Sequence, residues 1–63
     1  MSDYKDRVIK EFNELSIKVA KLSDFLNTDE SKLLDNGELG LLRQQLEYMS
    51  GYMRTLSCRI DRF

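Results

Sequence analysis

Residues 39–60, LGLLRQQLEYMSGYMRTLSCRI, decide the fold. Leu39, Leu42, Leu46, Met49, Met53, Leu56 and Ile60 recur in alternating steps of three and four, and Phe63 extends the ladder. That spacing belongs to a helix burying one apolar stripe along its whole length. Working back along the chain, Val8, Phe12, Leu15, Val19, Leu22 and Leu26 repeat the pattern. Two such stripes satisfy each other when the chain doubles back. The expected fold is therefore all-α: a two-helix antiparallel hairpin, helices at about 3–27 and 38–61, with a short helical turn between. Residues 1–63 form one domain.

The boundaries follow from capping residues. Ser2 and Asp3 offer a cap and an acidic first turn, and the first helix is expected to end near Asn27. Asp6 with Lys10, and Glu14 with Lys18, are i,i+4 pairs in the favourable orientation. Thr28, Asp29, Glu30 and Ser31 read as a fresh cap over a turn whose Leu33 and Leu34 plug the closed end. Asp35, Asn36 and Gly37 form the breaker, with Asn36 the expected cap of the second helix. Gly40 and Gly51 lie inside that helix, where each marks either a close backbone approach or a weak spot costing about 1 kcal/mol against alanine.

A hairpin of 63 residues shields too little surface to be comfortably stable alone. It needs a staple or company. The single cysteine, Cys58, allows no intramolecular disulfide, and the absence of histidine removes a Cys/His zinc site. Company is the expectation, as self-association into an oligomeric helical bundle. The lone thiol and the lack of an apolar leader point to a reducing, cytoplasmic setting. No apolar run approaches a membrane span. A formal charge of −1 argues against a DNA or RNA duplex as partner, which requires a basic surplus. A small anionic ligand needs only a few local cations.

Leu41, Tyr48, Tyr52, Thr55 and Arg59 form a second stripe, displaced by roughly 100° or more from the core ladder and so expected to face away from the first helix. Tyrosines and a leucine gathered there suit a subunit interface, ligand stacking or simple exposure. Ile9, Ile17 and Phe25, off the main ladder of the first helix, join them as candidate interface residues. Charge is sorted by type, with lysines on the first helix and loop and most arginines on the second. The guanidinium forks of Arg54 and Arg59 suit a phosphorylated base, or else pair with Glu47, Asp61 or a neighbouring subunit.

The chemistry of a catalyst is missing from the sequence. There is no histidine, no Cys/His pair, no phosphate-cradling glycine loop and no metal-ligand spacing. Exposed helix carboxylates have no reason to hold a catalytic pKa. Cys58 reads as a small, partly buried filler. Neither enzymatic activity nor a cofactor or metal is expected.

Asp3-Tyr4-Lys5-Asp6-Arg7-Val8, then Glu11-Phe12-Asn13-Glu14-Leu15 and Lys21-Leu22, and the ladder from Leu42 to Ile60, resemble a family of very small tailed-phage proteins. That family shares its helical-hairpin domain with phage anti-CBASS cyclic-nucleotide sponges. The resemblance covers nearly the whole chain, and Tyr4-Lys5-x-Arg7 with Asn13-Glu14-Leu15 are its most distinctive parts. It implies compact helical homo-oligomers, commonly hexamers, that hold cyclic di- or trinucleotide immune signals between subunits in the infected bacterial host without cleaving them. It also implies a base-stacking role for Tyr4. A phosphate-binding lysine is implied shortly after Asn-Glu, where this chain has Ser16, with Lys18 the nearest substitute. The candidate ligand-binding set is Tyr4, Lys5, Arg7, Lys18, Arg54 and Arg59.

Two functions are expected on these grounds. One is an anti-defence sponge for a cyclic nucleotide. The alternative is a structural or regulatory helical oligomerisation module whose exposed stripe binds another protein.

Overall fold

A computed structural model describes residues 3–63. Helix α1 spans Tyr4–Leu26, a 3-10 turn spans Glu30–Leu33, and helix α2 spans Asn36–Asp61. The two long helices pack against each other in an antiparallel hairpin with extents of 46 × 17 × 13 Å. The start of α1 and the end of α2 meet at the open end, where the rings of Tyr4 and Phe63 lie 5.8 Å apart.

Each helix starts where a side chain satisfies its free amides. The Asp3 carboxylate accepts from the N–H groups of Lys5 at 2.9 Å and Asp6 at 3.1 Å, the N-cap arrangement that offsets orphan donors. The expected contribution of Ser2 lies outside the described residues. Asn27 closes α1, its N–H donating to the Asp24 carbonyl at 3.1 Å while the next N–H, of Thr28, donates to the Phe25 carbonyl at 3.0 Å. For α2 the expected cap needs correction. Asp35, not Asn36, accepts from Glu38 N–H, at 2.7 Å. Asn36 is thereby the first helical residue, and α2 begins two positions earlier than expected.

At the closed end Thr28 donates its hydroxyl to the Phe25 carbonyl at 2.6 Å and accepts from Ser31 N–H at 3.4 Å. The expected leucine plug is only half realised: Leu34 is half-buried, but Leu33 is 86% exposed. With three residues per turn, positions 31 and 34 share one face of a 3-10 helix while position 33 points elsewhere. Ser31 fills the inward place. It is 3% exposed, and its hydroxyl reaches the carbonyls of Leu26 at 3.2 Å and Thr28 at 2.7 Å, so this buried hydroxyl keeps its partners.

The apolar ladders meet as their spacing dictates. Val8, Leu15 and Leu56 are buried, and Phe12, Val19, Met49, Met53 and Ile60 pack around them. Leu22, Leu26, Leu39, Leu42 and Leu46 are half-buried, and Phe63, at 40% exposure, contacts Tyr4. Three buried apolar side chains make a thin core. The chain exposes 5090 Å², against about 4,200 Å² for a compact monomer of its mass.

Surface details differ from expectation. Lys10 pairs with Glu14 at 4.0 Å, in place of the expected Asp6–Lys10 and Glu14–Lys18 pairs, because one lysine between two acids one turn away on either side satisfies only one in this geometry. Cys58 is exposed rather than partly buried, since it lies off the α2 core ladder. A methyl group on Gly40 would meet nothing within 4 Å, and one on Gly51 only the Arg54 guanidinium at 3.9 Å. Neither glycine serves a close backbone approach within the chain. No helix among the described residues is long and apolar enough to cross a membrane.

Candidate functional site

The open end of the hairpin carries an open groove of about 530 Å³, lined by Tyr4, Arg7, Val8, Lys10, Glu11, Glu14 and Arg59. Tyr4, Arg7, Val8, Glu11 and Glu14 stand at helical spacing on one face of α1, and Arg59 comes from the last turn of α2. Antiparallel pairing is what brings residues from opposite ends of the sequence to one place. A second groove of about 400 Å³ adjoins the first through Tyr4 and Arg59, and adds Arg62 and Phe63.

The aromatic edge of this site is built from two rings. Tyr4 and Phe63 meet edge-on, with an interplanar angle of 88°, an arrangement that the ring quadrupoles favour. Lys5 places its ammonium 5.7 Å from the Phe63 ring centre, within cation–π range. Tyr4 remains 54% exposed and available for stacking.

The site mixes charges. The Lys10–Glu14 pair is internally neutral, leaving the guanidinium groups of Arg7 and Arg59 and the carboxylate of Glu11. Glu11 accepts a hydrogen bond from the Tyr52 hydroxyl on α2. That bond, with partial desolvation and the carboxylate charge, raises the Tyr52 pKa above its ordinary value of 10.0, while Arg59 pulls it down. The expectation that the whole tyrosine stripe faces away from α1 is therefore corrected. Tyr52 sits at the flank of α2, and its long side chain carries the hydroxyl back across to α1.

The α1 amino terminus adds little to anion binding here, because Asp3 already occupies its first free amides. The cationic character comes from side chains, and the two arginines present planar forks suited to phosphate or carboxylate.

Of the sequence-derived ligand candidates, Tyr4, Arg7 and Arg59 come together in the groove, whereas Lys5 lines neither groove and is placed by its ammonium against the ring of Phe63, which lines the second. Lys18 and Arg54 line neither groove; Lys18 lies about 21 Å along the helix axis from Tyr4. Ile9, Ile17, Leu41 and Tyr48 are exposed, from 40% to 68%, and Phe25 is half-buried. The Tyr48 hydroxyl accepts from the Gln44 amide at 3.0 Å.

Glu11 was absent from the sequence-derived set although its position was readable. Tyr4, Arg7, Glu11 and Glu14 are separated by three, four and three residues, which puts all four on one stripe. Phe63 was read as core, and its role against Tyr4 depends on where the second helix ends.

A comparison with known families matches residues 2–62 to Sequestin. The chain belongs to the Sequestin family. The match spans α1, the turn and α2, so the whole hairpin, including both sides of the groove, lies within the Sequestin unit. No curated protein and no solved structure matches this Sequestin chain.

Proposed function

We propose that this Sequestin is a phage-encoded anti-defence protein that binds a cyclic di- or trinucleotide immune signal and withholds it, uncleaved, from its effector in the host cytoplasm. The observation that carries this reading is the groove at the open end, where an exposed tyrosine ring stands beside two guanidinium groups from different helices. A cyclic nucleotide presents flat bases and anionic phosphates. Tyr4 stacks on a base, Arg7 and Arg59 meet phosphate, and Lys5 adds positive charge at the rim.

Sequestration works by mass action and needs no bond chemistry. Its requirements are affinity and copy number, both within reach of a short chain.

Self-association belongs to the same proposal. The thin core and the exposed Ile9, Ile17, Leu41 and Tyr48 support a homo-oligomer in which these residues are covered by further copies. A groove open on one side in the single chain then becomes walled by a neighbour, and the ligand loses more of its contact with water.

The test is recovery. Purified protein incubated with cyclic di- and trinucleotides, washed and denatured, is expected to release the nucleotide unchanged by mass, and the complex is expected to melt higher than the free protein. Release of linearised nucleotide would replace sequestration with hydrolysis. Absence of both retention and a melting shift would favour the protein-binding module.

A further inference from the structure

Gly51 lies on the outer face of α2, about 180° around the helix from the ladder of Met49, Met53 and Ile60. A methyl group there would meet only the Arg54 guanidinium, at 3.9 Å, so the helix gives up propensity for no contact within the chain. The neighbours of Gly51 on the helix surface, three and four positions to either side, are Glu47, Tyr48, Arg54 and Thr55. Glu47 and Arg54 fall on one flank, Tyr48 and Thr55 on the other. All four are exposed, Tyr48 at 68%, and none lines either groove.

The charged flank is self-complementary. Arg43 and Glu47 precede Gly51, and Arg54 and Asp61 follow it, so the signs alternate along the flank and change over at the glycine. Among the described residues the ion pairs are Lys10–Glu14 and Lys32–Asp29, which leaves these four charges without a pair in the chain. Running the same helix backwards about Gly51 sets a glutamate beside Arg54 and an aspartate beside Arg43. A parallel copy in the same register would set like charge against like.

Resting on the self-association proposed above, we infer that the outer face of α2 packs antiparallel on the same face of a second copy, across a twofold axis at Gly51. A twofold contact is isologous, so each flank meets its own counterpart. Glu47 meets Arg54 of the second copy, and the pair occurs twice. Tyr48 lies against Thr55 of the second copy, whose hydroxyl is already committed to the Gly51 carbonyl at 3.1 Å within its own chain. The glycine lets the two backbones approach closely. Area favours the same occupant: the chain exposes 5090 Å², about 900 Å² beyond a compact monomer, and each partner in a standard interface buries about 800 Å².

The register is tested by a cross-link. Gln44 and Cys58 stand seven positions before and after Gly51, so each Gln44 faces Cys58 of the second copy, whereas the two Cys58 side chains lie about 21 Å apart along the seam. The full-length Gln44→Cys variant, with Cys58 retained, is expected to form a covalent dimer in oxidised glutathione. Wild type and Gln44→Cys/Cys58→Ser should not. Orientation is tested by charge: Glu47→Arg should weaken association about tenfold or more, since it sets like charges together twice, and Glu47→Arg/Arg54→Glu should restore it. Helicity measured on every variant separates lost association from lost folding. Absence of the cross-link in assembled protein, or a double exchange that associates no better than Glu47→Arg, would overturn the seam and leave self-association to other faces. A wild-type chain that stays monomeric would overturn both, and nucleotide retention, measured separately, would still decide sequestration.

Discussion

The Tyr52 hydroxyl donates to the Glu11 carboxylate, tying the middle of α2 to α1 beside the open-end groove. The bond holds the phenol proton, so the pKa of Tyr52 lies above 10.0 in the folded chain. A group that holds its proton more tightly when folded contributes stability that is fully present below its unfolded pKa. That contribution is lost as pH rises through the folded pKa. Thermal melts of wild type and Tyr52→Phe should therefore differ by a constant amount below about pH 9 and converge in the strongly alkaline range. A difference that stays constant through the alkaline range would show that Tyr52 contributes by packing alone.

Gly40 lies in the interior of α2, where an added methyl group meets nothing within 4 Å. Alanine there should stabilise the hairpin by about 0.5–1 kcal/mol, since it restricts the unfolded chain and favours the helix. Chemical denaturation checks this through a raised midpoint at unchanged slope. A lowered midpoint would mean that a neighbouring subunit's backbone approaches Gly40 in the assembly.

The Asp35 carboxylate bonds to Glu38 N–H at 2.7 Å. Replacing Asp35 by alanine should cost about 1 kcal/mol, within the usual range for loss of an N-cap, whereas Asn36→Ala should be close to neutral at the first helical position. Circular dichroism melts of the two variants compare them directly. A larger loss for Asn36→Ala would restore Asn36 as the cap.

The hairpin was legible because helical periodicity is a property of the backbone. Side chains three and four apart must share a face, so the ladders from Val8 and Leu39 named the core. Where two capping residues stand together, as Asp35 and Asn36 do, spacing alone does not choose between them. Tyr52 was misread because angular position describes where a Cα–Cβ bond points, while a six-carbon phenol carries its hydroxyl well beyond that direction. The groove was legible only in halves. Tyr4 and Arg7 stand three positions apart on one helix face, but their meeting with Arg59 required the hairpin to close in the observed register. Ser31 gave no apolar signal, since its burial rests on hydroxyl bonds to Leu26 and Thr28.

Leu41 is 62% exposed and Tyr48 68% exposed, while among the described residues Val8, Leu15 and Leu56 are the buried apolar side chains. The melting temperature should rise with protein concentration, as it does when subunits stabilise one another by association. Leu41→Glu should lower the mass found by light scattering, because a carboxylate in a dry seam lacks a partner. A folded 7.4 kDa species at every concentration tested, in wild type and variant alike, would show that the hairpin stands alone.

Calorimetric titration of the assembled protein with common cyclic di- and trinucleotides addresses sequestration most directly, with Tyr4→Ala, Arg59→Ala and Lys18→Ala as variants. At least one nucleotide should bind to wild type, and more weakly as salt rises, because its phosphates are met by cations. Tyr4→Ala should lose about 1–3 kcal/mol of binding on the scale of base–aromatic stacking. Arg59→Ala should weaken binding and flatten the salt dependence, whereas Lys18→Ala, remote from the groove, should do neither. Heat from no nucleotide at tens of micromolar, on protein shown to be folded and assembled, would contradict sequestration of a cyclic nucleotide.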